Sequence, residues 1–377
     1  MFQRKKWAGI AVLAGALVVA AGGTAYAASG GWTAVSVPPP TGSNVLLAGT
    51  SADSNTDAWA VGQQFVAAGQ PPAPPVAYHW DGSAWSMVPT PSLGEYGAFG
   101  AVSARSATDA WAVGFTMIAN HDFGTLIEHW DGQQWTATSV DAITGFSARL
   151  TGVADLGTSD AWAAGEGATG GLAEHWNGTK WSVVPLPDSA FTPATGNPIS
   201  AVSATNIWLV GSTLSSTGTQ IPEALHYNGT TWSVVPMAQP AQATATINAV
   251  TAITARNAWA VGEDVGAGTK IGGSTFIEHW NGTQWTIKAS PTPGADPSLS
   301  GVAARSAHDV YAVGTNIPSI NGGAQHAVIL HWNGRKWSVG SSGTFTGSLS
   351  AAATFPGAAR EWAVGSASNQ GLALSHS

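Results

Sequence analysis

The chain has 377 residues and no cysteine; only 9% of it is charged, and its net charge is −8. A sparse, mildly acidic surface argues against nucleic acid or an anionic membrane as a partner. Without cysteine there are no disulfides and no lipid attached through a thiol, so the fold must be closed by packing and strand pairing. A chain of this length can bury enough apolar surface to do so.

The N-terminus reads Met1-Phe2-Gln3-Arg4-Lys5-Lys6, is apolar from Trp7 to Ala21 and reaches Ala25-Tyr26-Ala27. A basic start, an apolar centre and a small-x-small exit make a secretory signal peptide, so cleavage after Ala27 is expected to release residues 28–377 outside the cell. The apolar run is almost long enough for a retained anchor, but the well-placed exit favours cleavage. Cleavage takes Arg4, Lys5 and Lys6 with it and shifts the net charge to −11. No second apolar run of spanning length follows, so no membrane contact is expected after removal of the leader.

The stretch Asp57-Ala58-Trp59-Ala60-Val61-Gly62 returns from Asp109, Asp160, Asn206, Asn257, Asp309 and, one residue short, Glu361, at intervals of 52, 51, 46, 51, 52 and 52. Seven copies at a period near 50 mean a repeat architecture. Most copies follow a run of small apolar residues such as Ala101-Val102-Ser103-Ala104. Six precede a second motif, His79-Trp80-Asp81-Gly82-Ser83-Ala84-Trp85 and its counterparts from His129, His175, His226, His279 and His331. Asp-Gly or Asn-Gly between apolar runs signals a tight hairpin, with both turn residues expected at positive φ. An even turn length puts Trp80 and Trp85 on one sheet face.

Each unit is thus four short strands without helical periodicity, the blade of a β-propeller. Small residues belong on the innermost strand, and the tryptophans fill the wider space between blades. The seventh unit reaches Ser377 without a fourth strand, whereas Gly31-Trp32-Thr33-Ala34-Val35-Ser36-Val37-Pro38 has that strand's pattern. The expected fold is all-β, a seven-bladed β-propeller whose ring is closed by the N-terminal strand pairing into the last blade, which hides the sheet edges of an open array.

With Val61-Gly62, Trp80-Asp81 and Trp85 the unit resembles the kelch and galactose-oxidase-like propeller repeat, and residues 31–377 are similar to the tandem repeats of secreted bacterial propellers. It departs from kelch in having one glycine after the second strand and a shorter turn between the third and fourth. Resemblance to galactose oxidase implies a copper site with a Cys–Tyr thioether, which a chain without cysteine excludes. Propellers host many unrelated functions, so the resemblance speaks to the fold.

The repeated histidines fall on different blades and are expected to pack or bond within them rather than converge on a metal. Glu128, Glu174 and Glu278, beside three of them, are expected to be solvated strand carboxylates. The Asp or Asn that begins each second strand is expected to bond its own turn backbone. Asn177, Asn228 and Asn281 match the glycosylation pattern, but their tight turns explain them equally well. There is no arginine cluster or Ser-x-Asp-x-Gly-x-x-Trp box of the sialidase kind, no Gly-x-Ser-x-Gly, no His-Glu-x-x-His and no phosphate loop.

Function is therefore sought in the connections that do not repeat, those between strands two and three and between blades, which share one face. The ligand-binding candidates there are Glu95, Tyr96, His121, Asp122, Phe123, Glu166, Glu263, Asp264, Asn321 and His326, with no catalytic residue, metal or cofactor assigned. The expected function is a non-catalytic, monomeric binding or scaffold protein for an extracellular glycan or protein. The alternative is a polysaccharide hydrolase or lyase using Asp122, Glu166, Glu263 or Asp264. A third reading places one sugar site in each blade gap, built from tryptophans that are instead expected to be buried.

Overall fold

The computed structural model describes residues 31–40, 43–65, 74–91, 96–117, 123–138, 148–216, 218–240, 244–265, 273–317, 319 and 323–377. The expected signal peptide lies outside them. Among these residues seven antiparallel sheets follow one another and none is helical. Blade 1 sets the pattern: Asn44–Ser54, Asp57–Phe65, Pro75–Trp80 and Trp85–Val88 pair in chain order. Blade 7 is built from Ser348–Ala353, Glu361–Ala367 and Gln370–His376, and its fourth strand is Trp32–Val35, in register from Trp32 opposite His376 to Val35 opposite Ala373. The seven blades and the closing strand agree with the sequence.

Strand alternation gives each blade two apolar faces. The tryptophan of one second strand packs between the hairpin aromatics of the next blade. Trp59 of blade 1 lies 4.9 Å from Trp130 and 4.8 Å from Trp135 of blade 2. Trp111 meets Trp176 and Trp181, Trp162 meets Tyr227 and Trp232, Trp208 meets Trp280 and Trp285, and Trp259 meets Trp332 and Trp337. Tyr311 takes this place in blade 6 against Trp32 and His376, and Trp362 closes the ring on Trp80 and Trp85 at 4.9 and 4.8 Å. Each aromatic pair adds about 0.5–1.5 kcal/mol beyond its buried area, so the motif that repeats in sequence is the cement between blades.

The glycine of the Trp-Ala-Val-Gly stretch has a steric cause. Six of the seven first strands carry a one-residue bulge here, as at Ala48 between Leu47 and Gly49. The strand then lies so close that a Cβ on Gly62 would overlap the carbonyl oxygen of Leu46; Gly114, Gly165, Gly262, Gly314 and Gly365 meet the same obstacle.

The hairpin turns differ from expectation. Gly82 has φ +94°, but the residue before it does not take positive φ. Trp80 and Trp85 face each other across a four-residue loop. In it the Asp81 carboxylate accepts N–H bonds from Ser83 (2.8 Å) and Ala84 (2.9 Å). The side chain thus does the work expected of a second positive φ. Asn177, Asn228 and Asn281 cap their turns in the same way. Two successive positive-φ turn residues occur instead at Ser368 and Asn369.

Candidate functional site

Of the ten candidates, Glu95, His121, Asp122 and Asn321 lie outside the described residues. The structure brings two of the other six together. Tyr96 and Phe123 flank Phe115 of blade 2, with ring centroids 6.1 and 5.0 Å from it. The Tyr96 carbonyl is held by the N–H of Met117 (2.7 Å), and burial pushes the Tyr96 phenol up. All three rings are half-buried, so part of this aromatic cluster meets solvent.

The remaining candidates stay apart. Glu166, in blade 3, accepts from Arg149 at 3.0 and 2.6 Å in an exposed ion pair. Glu263 and Asp264 are successive residues of one strand, Asn257–Asp264, and point to opposite sides of blade 5. They do not form a convergent carboxylate pair. His326 opens the third strand of blade 6; its carbonyl accepts from the Thr315 hydroxyl, and its Nδ1 is buried without a partner. Phe123, Glu166, Glu263, Asp264 and His326 lie within strands rather than loops, because the second and third strands run further towards this face than the repeat motif alone indicates.

That extension exposes residues missed in the sequence. Three positions after the repeat glycine stand Phe65, Met117, Leu214, Val265 and Ile317. Phe65, Leu214 and Val265 are 43%, 61% and 42% exposed. The signal was available: five of the seven repeats place a large apolar residue at the same distance from the repeat glycine. These residues and the aromatic cluster share the face of the variable connections.

On the opposite face the repeated histidines and the turn residues are engaged within the blades. His79 Nε2 lies 3.2 Å from the Asp57 carboxylate, and the pairs His129–Asp109, His175–Asp160, His279–Asn257 and His331–Asp309 repeat this contact at 2.7–3.0 Å. Each of these rings also lies against the aromatic of its second strand, as in Trp111–His129 at 4.4 Å. In these five blades the Asp or Asn at the start of the second strand therefore bonds the histidine across the strand pair, not its own turn as the sequence suggested, whereas Asn206 Oδ1 of blade 4 is buried without a partner. The motifs are adjacent in register, so a strand-crossing bond wins. The histidines are framework, as expected, and among the described residues no group of three His, Asp or Glu side chains could hold a metal.

The expectation for the glutamates beside them is overturned. Glu128, Glu174 and Glu278 are fully buried between blades, and desolvation pushes their carboxyls up to about 8, 8 and 7. The tryptophans of the second strands are buried too, as expected, while Trp130, Trp176, Trp280 and Trp332 of the hairpins are half-buried. The gap between blades 3 and 4 departs from the repeat. Tyr227 stands there where the other hairpins carry tryptophan, and a groove of about 380 Å³ opens beside Asp160, Trp162, His175 and Asn177.

No family model matches the chain, and no curated protein does. Solved structures do. YCF48 bound to D1 peptide superposes with a TM-score of 0.58 at 15% identity, over 93% of this chain and 98% of that one. YCF48 from Cyanidioschyzon merolae gives 0.55 at 15% identity over 93% and 98% of the two chains. A protein of unknown function from Dyadobacter fermentans gives 0.51 at 11% identity over 92% and 99%. At these identities the likeness shows a shared β-propeller fold.

Proposed function

We propose that this chain is an extracellular, non-catalytic propeller that binds a protein or peptide through its variable-connection face. The observation that carries this reading is the ring of apolar residues three positions after the repeat glycine, beside the Tyr96–Phe115–Phe123 cluster. Exposed apolar and aromatic side chains on one face are the anchors that protein ligands use. On the opposite face the repeated polar residues serve His–Asp or His–Asn pairs and turn caps. YCF48, which has a similar fold, is bound to D1 peptide, and this supports a peptide ligand for the present chain. The basic, apolar and small-residue order of residues 1–27 supports export.

Peptides selected from a random display library against residues 28–377 test the assignment. Phe65→Ser, Leu214→Ser and Val265→Ser combined is expected to weaken their capture at least tenfold while leaving the unfolding transition in place. Capture that survives all three changes refutes the face.

The groove between blades 3 and 4 favours a second, glycan-binding reading. The half-buried Tyr227 ring, with Asp160, His175 and Asn177 beside it, suits a sugar ring. Glycan-array binding abolished by Tyr227→Ala and untouched by the Phe65, Leu214 and Val265 changes would select this reading over the first.

A further inference from the structure

The seven first strands converge on the axis, where six carry a single bulged residue. Blade 4 is different. Its first strand is split into Thr192–Pro193 and Ile199–Ser203, and five residues stand between them where the equivalent positions of blade 1, Leu47 and Thr50, are separated by two. This insertion reaches across the axis. Gly196 abuts the carbonyl oxygens of Asn248 and Ser300, the Ala194 carbonyl accepts from the Thr151 hydroxyl (2.9 Å), and the Asn197 carbonyl accepts from Val250 N–H (3.1 Å). Asn197 lines the space on both sides. Towards the variable face only about 20 Å³ remains, whereas towards the short turns a cup of about 220 Å³ is left.

The wall of the cup departs from the repeat at one level. Register places Ala52, Ala104, Ala201, Ala252 and Ala304 at equivalent positions of five blades, but Asp155 in blade 3 and Thr354 in blade 7. The Asp155 side chain is 0% exposed. Its Oδ1 accepts from Gly157 N–H (3.0 Å) and lies 4.0 Å from Arg105 Nε, while that guanidinium is engaged by Asp109. Asp155 Oδ2, Asn197 Oδ1 and Thr354 Oγ1 are buried, have no hydrogen-bond partner, and belong to residues lining this one cup.

We propose that the cup binds a cationic nitrogen group on a slender chain, a primary ammonium or guanidinium, either of a free polyamine or of a Lys or Arg side chain presented by a partner. The unserved groups include a carboxylate oxygen and an amide carbonyl, which accept and do not donate, so the complementary ligand is rich in N–H and carries positive charge. An anion would face Asp155. An apolar group would leave all three acceptors unpaired, which is costly. The site stands apart from the variable-connection face and does not depend on the reading given to that face.

Binding is linked to protonation. The groups facing Asp155 are Arg105 and Asp109 of blade 2 and Asp160 of its own blade; burial, then Asp109, push its carboxyl up to about 7 against the pull of Arg105. The cation is therefore expected to bind better as pH rises through that value.

Calorimetric titration of residues 28–377 with 1,4-diaminobutane, and separately with a capped Gly-Gly-Lys-Gly-Gly peptide, tests the proposal. Saturable binding at one site per chain is expected at pH 8, at least tenfold weaker at pH 5.5 and at least tenfold weaker in Asp155→Asn. If Asp155→Asn does not fold, Asn197→Ala, which keeps the backbone bonds of the plug, is expected to show the same loss. Binding of the diamine identifies a free ligand, and binding of the peptide alone identifies a partner's side chain. No saturable heat from either probe, or binding indifferent to both substitutions, overturns the site and leaves a water-filled cup.

Discussion

Glu128, Glu174 and Glu278 occupy one register position, yet their surroundings differ by a single N–H. Glu278 Oε2 accepts from the N–H of Ala238 (3.0 Å), six residues after Trp232. Six residues after Trp85 stands Pro91, which has no N–H to give, and both oxygens of Glu128 are without partners. Desolvation keeps such a carboxyl protonated in the folded chain up to about pH 8, whereas the unfolded chain loses that proton near pH 4.3. The folded state therefore holds more protons over this interval, and stability, full below about pH 4, declines as pH rises towards 8. Urea unfolding is expected to give a higher midpoint at pH 5 than at pH 8.5. Glu128→Gln is expected to gain on the order of 1–3 kcal/mol at pH 8.5 and to change little at pH 5. An equal effect of the substitution at both pH values would contradict the buried, neutral carboxyl. Nothing in the local sequence signals this: Glu-His-Trp on a strand reads as a solvated carboxylate until the neighbouring blade covers it.

At the scale of the element, the strand Trp32–Val35 decides whether the ring is closed. It has four residues, and its anchor is Trp32, 1% exposed, against Tyr311 at 5.8 Å and His376 at 5.3 Å. In the other hairpins the position opposite this tryptophan holds another aromatic, Trp or Tyr; here it is His376, which bonds the Glu361 carboxylate at 2.7 Å, and Glu361 also receives Arg305 from blade 6. The seam thus replaces one indole with a polar network. Trp32→Ala is expected to cost about 3–5 kcal/mol, the range for emptying a large aromatic site. The edge of Gln370–His376 should then lose its amide protection first, as measured by hydrogen exchange. Uniform loss of protection over all seven blades would show that the seam holds no weaker link. The closing strand was legible because the C-terminal unit lacked a partner that the N-terminus supplied. The polar seam was not, since Glu361 and His376 meet only when the ends of the last two strands pair.

Across the whole molecule the repeated positions and the departures from them differ in what they do. Among the described residues repetition puts His–Asp or His–Asn pairs in five blades, turn caps in six and an aromatic cluster at every blade interface, where they hold the frame. Departures from repetition mark the places available for recognition: Tyr227 for tryptophan, Asp155 for alanine, five residues for two in the first strand of blade 4, and the apolar ends of the second strands. Tyr96 and Phe123 were legible as aromatics in non-repeating segments. Phe115, which joins them, was not, because it lies in a strand longer than its motif. The axial plug lay within a stretch that read as one more variable loop, 187–198.

The sequence by itself determined the blade count, the strand order, the ring closure and the framework role of the repeated histidines and tryptophans. Those follow from periodicity and from the two-residue alternation of strands, which are properties of the chain alone. Only the tertiary structure decided which polar groups are desolvated, which residues face each other across blades, and where the axis is plugged. Burial and electrostatic environment are set by neighbours about fifty residues away or at the other end of the chain, and no local pattern encodes the distance between them.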